Sequence, residues 1–178
     1  MSAIANELNA IVVTATSPDR RIEGRVESMQ YITLRFRHDS YEQHYRHRDV
    51  ETLAHQLARG ATLMATTYQK ARREVMAAHG FERYSTRRPP FSSRHREYLE
   101  RGARLTAYGS SSEQEVRIMA IGLLDFDVRI APGVLDRCGE RDFLRLADSA
   151  AKDLQAEHRR VHAELRHELH AKYKDRMW

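Results

Sequence analysis

The chain of 178 residues has one cysteine, one tryptophan, four prolines and only four lysines. Cys138 alone closes no internal disulfide, and a structural zinc site, which needs about four ligands, has no cysteine pair to start from. Both points read as a protein of a reducing compartment, the cytoplasm. No apolar run approaches the roughly 20 residues of a membrane-spanning helix. The opening MSAIANELNAIVV has no basic stretch ahead of an apolar one, so no secretory leader is expected. The eight glycines are scattered, and neither GxxxxGK[ST] nor GxGxxG nor GxSxG occurs. No phosphate cradle and no nucleophile elbow is therefore expected, and the sequence reads as non-enzymatic, with no catalytic residue and no cofactor.

Arginine is abundant instead. Of 30 basic residues 26 are Arg, against 25 acids, for a net charge of +5 and a pI near 9.5. The guanidinium is a planar fork suited to phosphate. Residues 80–104 carry seven arginines and three glutamates, which is +4 of the net +5. A concentrated cationic stretch is the footprint of a polyanion partner. Its other reading is a solvated linker.

Hydrophobic periodicity divides the chain into two similar halves. In the first, 11–16 is a β-branched run, and 22–26 and 32–36 alternate apolar and polar residues, the pattern of half-buried strands. Short connections predict an antiparallel meander. Residues 38–47 are polar and read as a loop. Asp49 then caps a helix whose stripe includes Val50, Leu53, Ala54, Leu57, Met64, Tyr68 and Val75. In the second half 105–108, 116–120 and 126–130 read as strands, with Gly109 to Ser112 as a turn. Asp142 is the expected cap of a last helix with the stripe Phe143, Leu146, Ala147, Ala150, Leu154, Val161, Leu165, Leu169 and Tyr173. Thr14-Ala15 matches Thr106-Ala107, Ile32/Leu34/Phe36 matches Phe126/Val128/Ile130, and Leu53-Ala54 matches Leu146-Ala147. The expected fold is α+β, two β-β-β-α repeats. Residues 1–79 form the first, 80–103 a basic Pro-containing linker with a short helix within 95–102, and 104–178 the second. A half of this size is marginal alone, so the long helices are expected to find partners in the other half or in another copy.

The order of elements, and above all the run Gly122-Leu123-Leu124-Asp125-Phe126-Asp127-Val128-Arg129-Ile130-Ala131-Pro132-Gly133-Val134-Leu135, resembles the YbaB/EbfC family of nucleoid-associated proteins. Thr14 to Met76 is similar to it more weakly. Members of that family carry one such unit and form homodimers; this chain carries two, which implies a YbaB-like pseudo-dimer. Residues 1–10 are too short for the family's long leading helix. The resemblance implies a cytoplasmic, nucleoid-located protein that binds DNA with little regard to sequence through its helical ends. Similar folds also occur in accessory proteins of type VII secretion loci, which implies an alternative: a protein-interaction module or chaperone with a protein client.

The candidate DNA contacts are Arg87, Arg88, Arg94 and Arg96 in the linker, Lys70, Arg72 and Arg73 late in the first helix, and Arg159, Arg160, Arg166, Lys172 and Lys174 in the last. Such contacts position a protein on the phosphate backbone without reading bases. Their other reading is a helix face laced with i,i+4 ion pairs. His158/His162 and His167/His170 have spacings that can hold a metal, but no HExxH is present and solvated helix histidines are the expected state. Cys138 lies between Arg137 and Arg141, which would lower its pKa; it reads as a stray cysteine. A homo-oligomer through the long helices is a further expected partner.

Overall fold

The computed structural model describes residues 3–28, 31–80, 90 and 92–174. A short helix α1 (Ala3–Asn9) leads into strands β1 (Val12–Thr16), β2 (Ile22–Glu27) and β3 (Tyr31–Phe36), then a π-helical turn (Tyr41–Tyr45) and the long helix α2 (Val50–Ala78). The second half repeats the order: α3 (Ser93–Ala103), β4 (Thr106–Ser110), β5 (Val116–Ile121), β6 (Asp125–Ile130), the single turn α4 (Val134–Arg137) and α5 (Glu140–Lys174). Each half forms its own three-stranded antiparallel sheet in sequential order, β1-β2-β3 and β4-β5-β6. The α+β class and the two β-β-β-α units expected from the sequence are both present. No described helix is long and apolar enough to cross a membrane.

The repeat extends to individual backbone bonds, at a constant separation of 94 residues. Ser17 N–H donates to the Ile22 carbonyl at 2.8 Å, and Ser111 N–H to Val116 at 2.9 Å. The two buried serine hydroxyls accept from the N–H of Ile22 (3.0 Å) and Val116 (3.1 Å). The turn between them holds Arg20 at φ 61° in one half and Gln114 at 57° in the other. Ser28 N–H bonds Ile11 where Gly122 N–H bonds Leu105, and Arg37 N–H bonds Arg21 where Ala131 N–H bonds Glu115. This register corrects one sequence match. Thr106 corresponds to Val12, not Thr14, because the buried serine turn sets the phase and the shared Thr-Ala pair does not. Ile32/Leu34/Phe36 against Phe126/Val128/Ile130 keeps the same separation.

The helices hold the two sheets together. α2 packs on β1 and β2 of its own half and on β6 of the other; α5 packs on β4 and β5 and crosses to β3. The fourth residue of each helix, Leu53 and Phe143, is fully buried in a cluster drawn from both halves. At its centre Phe36, Tyr41, Tyr45 and Phe143 meet with ring centroids 5.0–6.1 Å apart. The segment 38–47, expected as a loop, supplies two of those rings. A single π-helical turn places Tyr41 and Tyr45 on one side, inward, while the polar residues between them stay wet. Asp49 caps α2 as expected, accepting from Glu51 N–H at 3.0 Å. Asp142 is not a cap: α5 begins at Glu140, with Phe143 N–H already bonded to the Gly139 carbonyl.

Gly109 and Ser110 belong to β4 rather than to a turn. A Cβ on Gly109 would lie 2.3 Å from Leu154 N and 2.4 Å from the Ala150 carbonyl, so α5 lies with its backbone directly on the strand. α2 is seated differently, with the Met64 sulfur filling the space above Gly24. Gly109→Ala therefore has to push two backbones apart and is expected to cost about 1–3 kcal/mol or more. Gly102→Ala, with nothing within 4 Å of the new methyl, should be neutral or stabilising by up to roughly 1 kcal/mol. Urea midpoints of the two variants check the contrast.

Asp19 ties the first sheet to the aromatic cluster. Its carboxylate accepts from the Ser17 hydroxyl (2.6 Å), from Arg21 N–H (3.2 Å) and from the Tyr45 hydroxyl. Burial raises the pKa, but the bonds from Ser17, Tyr45 and Arg21 together outweigh it and leave it below the ordinary 3.8. With the folded value depressed, the stabilisation is full above that ordinary value and is lost as pH falls through the folded one. Asp19→Asn is expected to cost about 1–3 kcal/mol at neutral pH and to flatten the fall in urea midpoint below about pH 4.

Candidate nucleic-acid interface

Each long helix extends past its sheet, and each extension is covered by the short helix that opens its own half. α1 packs on α2, with Glu7 3.0 Å from His79, and the Ser28 hydroxyl donates to the Asn9 carbonyl. α3 packs on the C-terminal half of α5. Tyr98 shares a hydrogen bond of 2.9 Å with Nε2 of His162, Lys172 reaches both oxygens of Glu97 at 2.8 and 2.6 Å, and Arg101 bonds Glu168 at 2.5 Å. Leading helices are thus present in both halves: α1, which the sequence left as a stub before Ile11, and α3, the short helix expected within 95–102. Residues 93–103 are helical because Ser92 caps the turn, accepting from His95 N–H at 3.1 Å, and Tyr98 and Leu99 follow in a run without proline.

This cover settles what lies over the ends of the apolar stripes. Tyr68 is buried with Ile11, Val13, Val26 and Met64, and Val75 packs beside them. Leu165 and Leu169 are 2% and 1% exposed, and the Tyr173 hydroxyl donates to Glu97 at 2.8 Å. Among the described residues these stripe ends are closed within the chain.

The predicted cations separate into two groups on these arms. Arg160 is bidentate to Glu157 at 2.8 and 2.7 Å and also reaches Glu164 at 2.6 Å, and Lys172 is held by Glu97. Arg160 is held within α5, and Lys172 ties α5 to α3. The bond from Lys172, then that from Tyr173, lowers the pKa of Glu97, and the bond from Arg160 lowers that of Glu157. Arg94 and Arg96 on α3, and Arg159, Arg166 and Lys174 on α5, are exposed and have no acidic partner among the described residues. Arg104, exposed just past α3, joins them; its neighbours in sequence gave no sign that it would fall on the same arm. On the first arm Lys70, Arg72 and Arg73 are exposed, with Arg73 Nε donating to the Gln69 carbonyl at 3.1 Å. Arg87 and Arg88 lie outside the described residues. The α3–α5 arm is the more strongly cationic of the two.

The other residues singled out from the sequence find plainer places. His158 and His162 stack with ring centroids 5.4 Å apart, and both pKa values are lowered, first by burial and then by His162 and Arg166 respectively. Among the described residues no group of three or more His, Cys, Asp or Glu is placed to hold a metal ion. Cys138 is half-buried and its thiol is pushed up, by burial first and then by Glu115. That is the reverse of the activation its flanking arginines would give, because burial and Glu115 outweigh the lowering by Arg137. Comparison of the chain with family models, with curated proteins and with solved structures gave no match to any of them.

Proposed function

We propose that the chain binds duplex DNA along its phosphate backbone, with little sequence preference and without a catalytic step. In this reading it is a nucleoid-associated protein of the cytoplasm, two YbaB/EbfC-like units in one chain acting as a pseudo-dimer. The observation that carries the reading is the α3–α5 arm, where Arg94, Arg96, Arg104, Arg159, Arg166 and Lys174 stand exposed with no acid among the described residues to neutralise them. A helical arm bearing several exposed guanidiniums without acidic partners suits a linear polyanion, and contacts of this kind carry no sequence information. The first arm adds Lys70, Arg72 and Arg73, and Arg87 and Arg88 remain candidates by charge alone. The alternative, a protein-interaction module or chaperone serving a secretion system, rests on the modest net charge and on apolar helix surface; the stripe ends are covered by α1 and α3, while the groove between α2 and α5 is apolar.

A gel-shift titration on arbitrary duplex DNA tests the reading. Affinity should fall linearly with salt on logarithmic axes. The triple variant Arg94→Ala/Arg96→Ala/Arg166→Ala should shallow that slope by roughly 1 for each phosphate contact removed. Arg160→Ala, engaged by Glu157 and Glu164, should leave the slope unchanged. Absence of binding even at about 50 mM salt, or an unaltered slope in the triple variant, would overturn it.

A further inference from the structure

A second surface has the opposite character. Between α2 and α5 runs a half-open groove of about 900 Å³. Its floor is formed by Ile32 and Leu34 from the first sheet and Ile118 and Phe126 from the second, all half-buried. Leu57 and Ala61 of α2 form one wall, Leu144 and Ala151 of α5 the other. Leu123 also reaches it, from a backbone at φ 54°. That conformation is a strained one for an L side chain. The groove shares Arg159 with the α3–α5 arm; its apolar lining takes no part in the DNA reading.

Three properties narrow the occupant. The stretch of α2 that lines the groove, Gln56 to Gln69, is about 20 Å long at 1.5 Å per residue, the length of three to four helical turns. The walls are helices whose backbone groups are bonded internally, so an occupant has to arrive with its own backbone hydrogen bonds made, as a helix does. The rims differ in charge. The α2 rim offers Gln56 and Gln69, while the α5 rim offers Arg141, Arg145, Asp148 and Arg159. Arg145 is engaged by Asp142, and Asp148 by Lys152. Arg141 and Arg159 remain, exposed and without an acidic partner among the described residues. Glu140 lies at the Arg141 end, its carboxyl pushed up by burial first and then by Asp39 and Glu42. The unmatched charge of the α5 rim is therefore cationic, and the α2 rim has none.

We infer that the groove is a docking site for an amphipathic helix of a protein partner, its apolar face filling the groove and its acidic flank lying along Arg141 and Arg159 of α5. The probe is a labelled synthetic helix of about 18 residues with leucine at i, i+3, i+4 and i+7 and glutamate along one flank, titrated against the full chain by fluorescence anisotropy. A sibling peptide carries lysine in place of glutamate. The acidic peptide should bind at micromolar concentration or better, and the basic sibling at least tenfold more weakly. Ala61→Arg should weaken the acidic peptide at least tenfold while leaving the circular dichroism spectrum and the DNA gel shift as they were. Arg141→Glu/Arg159→Glu, which leaves the groove walls intact, should reverse the preference between the two peptides. No binding of either peptide, equal binding of both, or binding indifferent to Arg141→Glu/Arg159→Glu would overturn the proposal. So would a chain that light scattering shows to be a dimer and Ala61→Arg makes a monomer, since the occupant would then be a second copy.

Discussion

Tyr41 donates its hydroxyl to the Cys138 carbonyl at 2.8 Å, from the first half of the chain into the second. The bond sits at the edge of the aromatic cluster that both halves build, and the rest of the fold depends on that cluster. Three strands and one helix leave too little interior to hold a sheet and helix together. Here the interior is pooled: Phe36, Tyr41, Tyr45 and Leu53 from one side meet Val128, Val134, Leu135 and Phe143 from the other. Burial and the bonds to Cys138 and Asp19 also fix what these tyrosines can do. Both phenols are raised above their ordinary 10.0, chiefly by burial, so they serve as neutral donors and packing groups.

The pooled centre explains the different character of the periphery. With the starts of α2 and α5 committed to the centre, their far ends overhang, and the short leading helices cover them. Cover by α3 brings Glu97 to Lys172 and Arg101 to Glu168. It leaves the remaining arginines of α3 and α5 on the outside. The groove arises from the same geometry. The starts of α2 and α5 share one centre, and α5 lies directly on Gly109 while α2 rides on Met64 above Gly24.

Much of this was legible in the sequence. Period-two alternation found four of the six strands and a β-branched run marked β1, and the stripes found both long helices, because those signals are set by which face is buried. Three features were not legible. The turn at Tyr41–Tyr45 hides two core rings among eight polar neighbours, and one i,i+4 aromatic pair is too short a pattern to read. The leading helix α1 is too brief to show a stripe and passed for a stub, while α3 was read as a short helix within a linker but not as the cover of α5. Gly109 looked like turn chemistry because glycine is common in turns, whereas its role is to let a helix backbone lie against a strand. As for the cations, composition could name Arg160 and Arg166 as candidates but could not separate them. Only the placement of Glu157 and Glu164 shows that one is engaged and the other is not.

A pair of units held by a shared core usually comes from two chains, and then its stability depends on concentration. Here both units lie on one chain, so assembly is unimolecular and dilution does not undo it. Covalent linkage also frees the copies from having to be identical. At corresponding positions on the outer sheet faces the first half pairs Glu23 with Arg35 at 2.6 Å, while the second sets Arg117 opposite Arg129. No symmetric dimer can carry that difference. A fused one can present two unlike surfaces to the solvent and change one without touching the other.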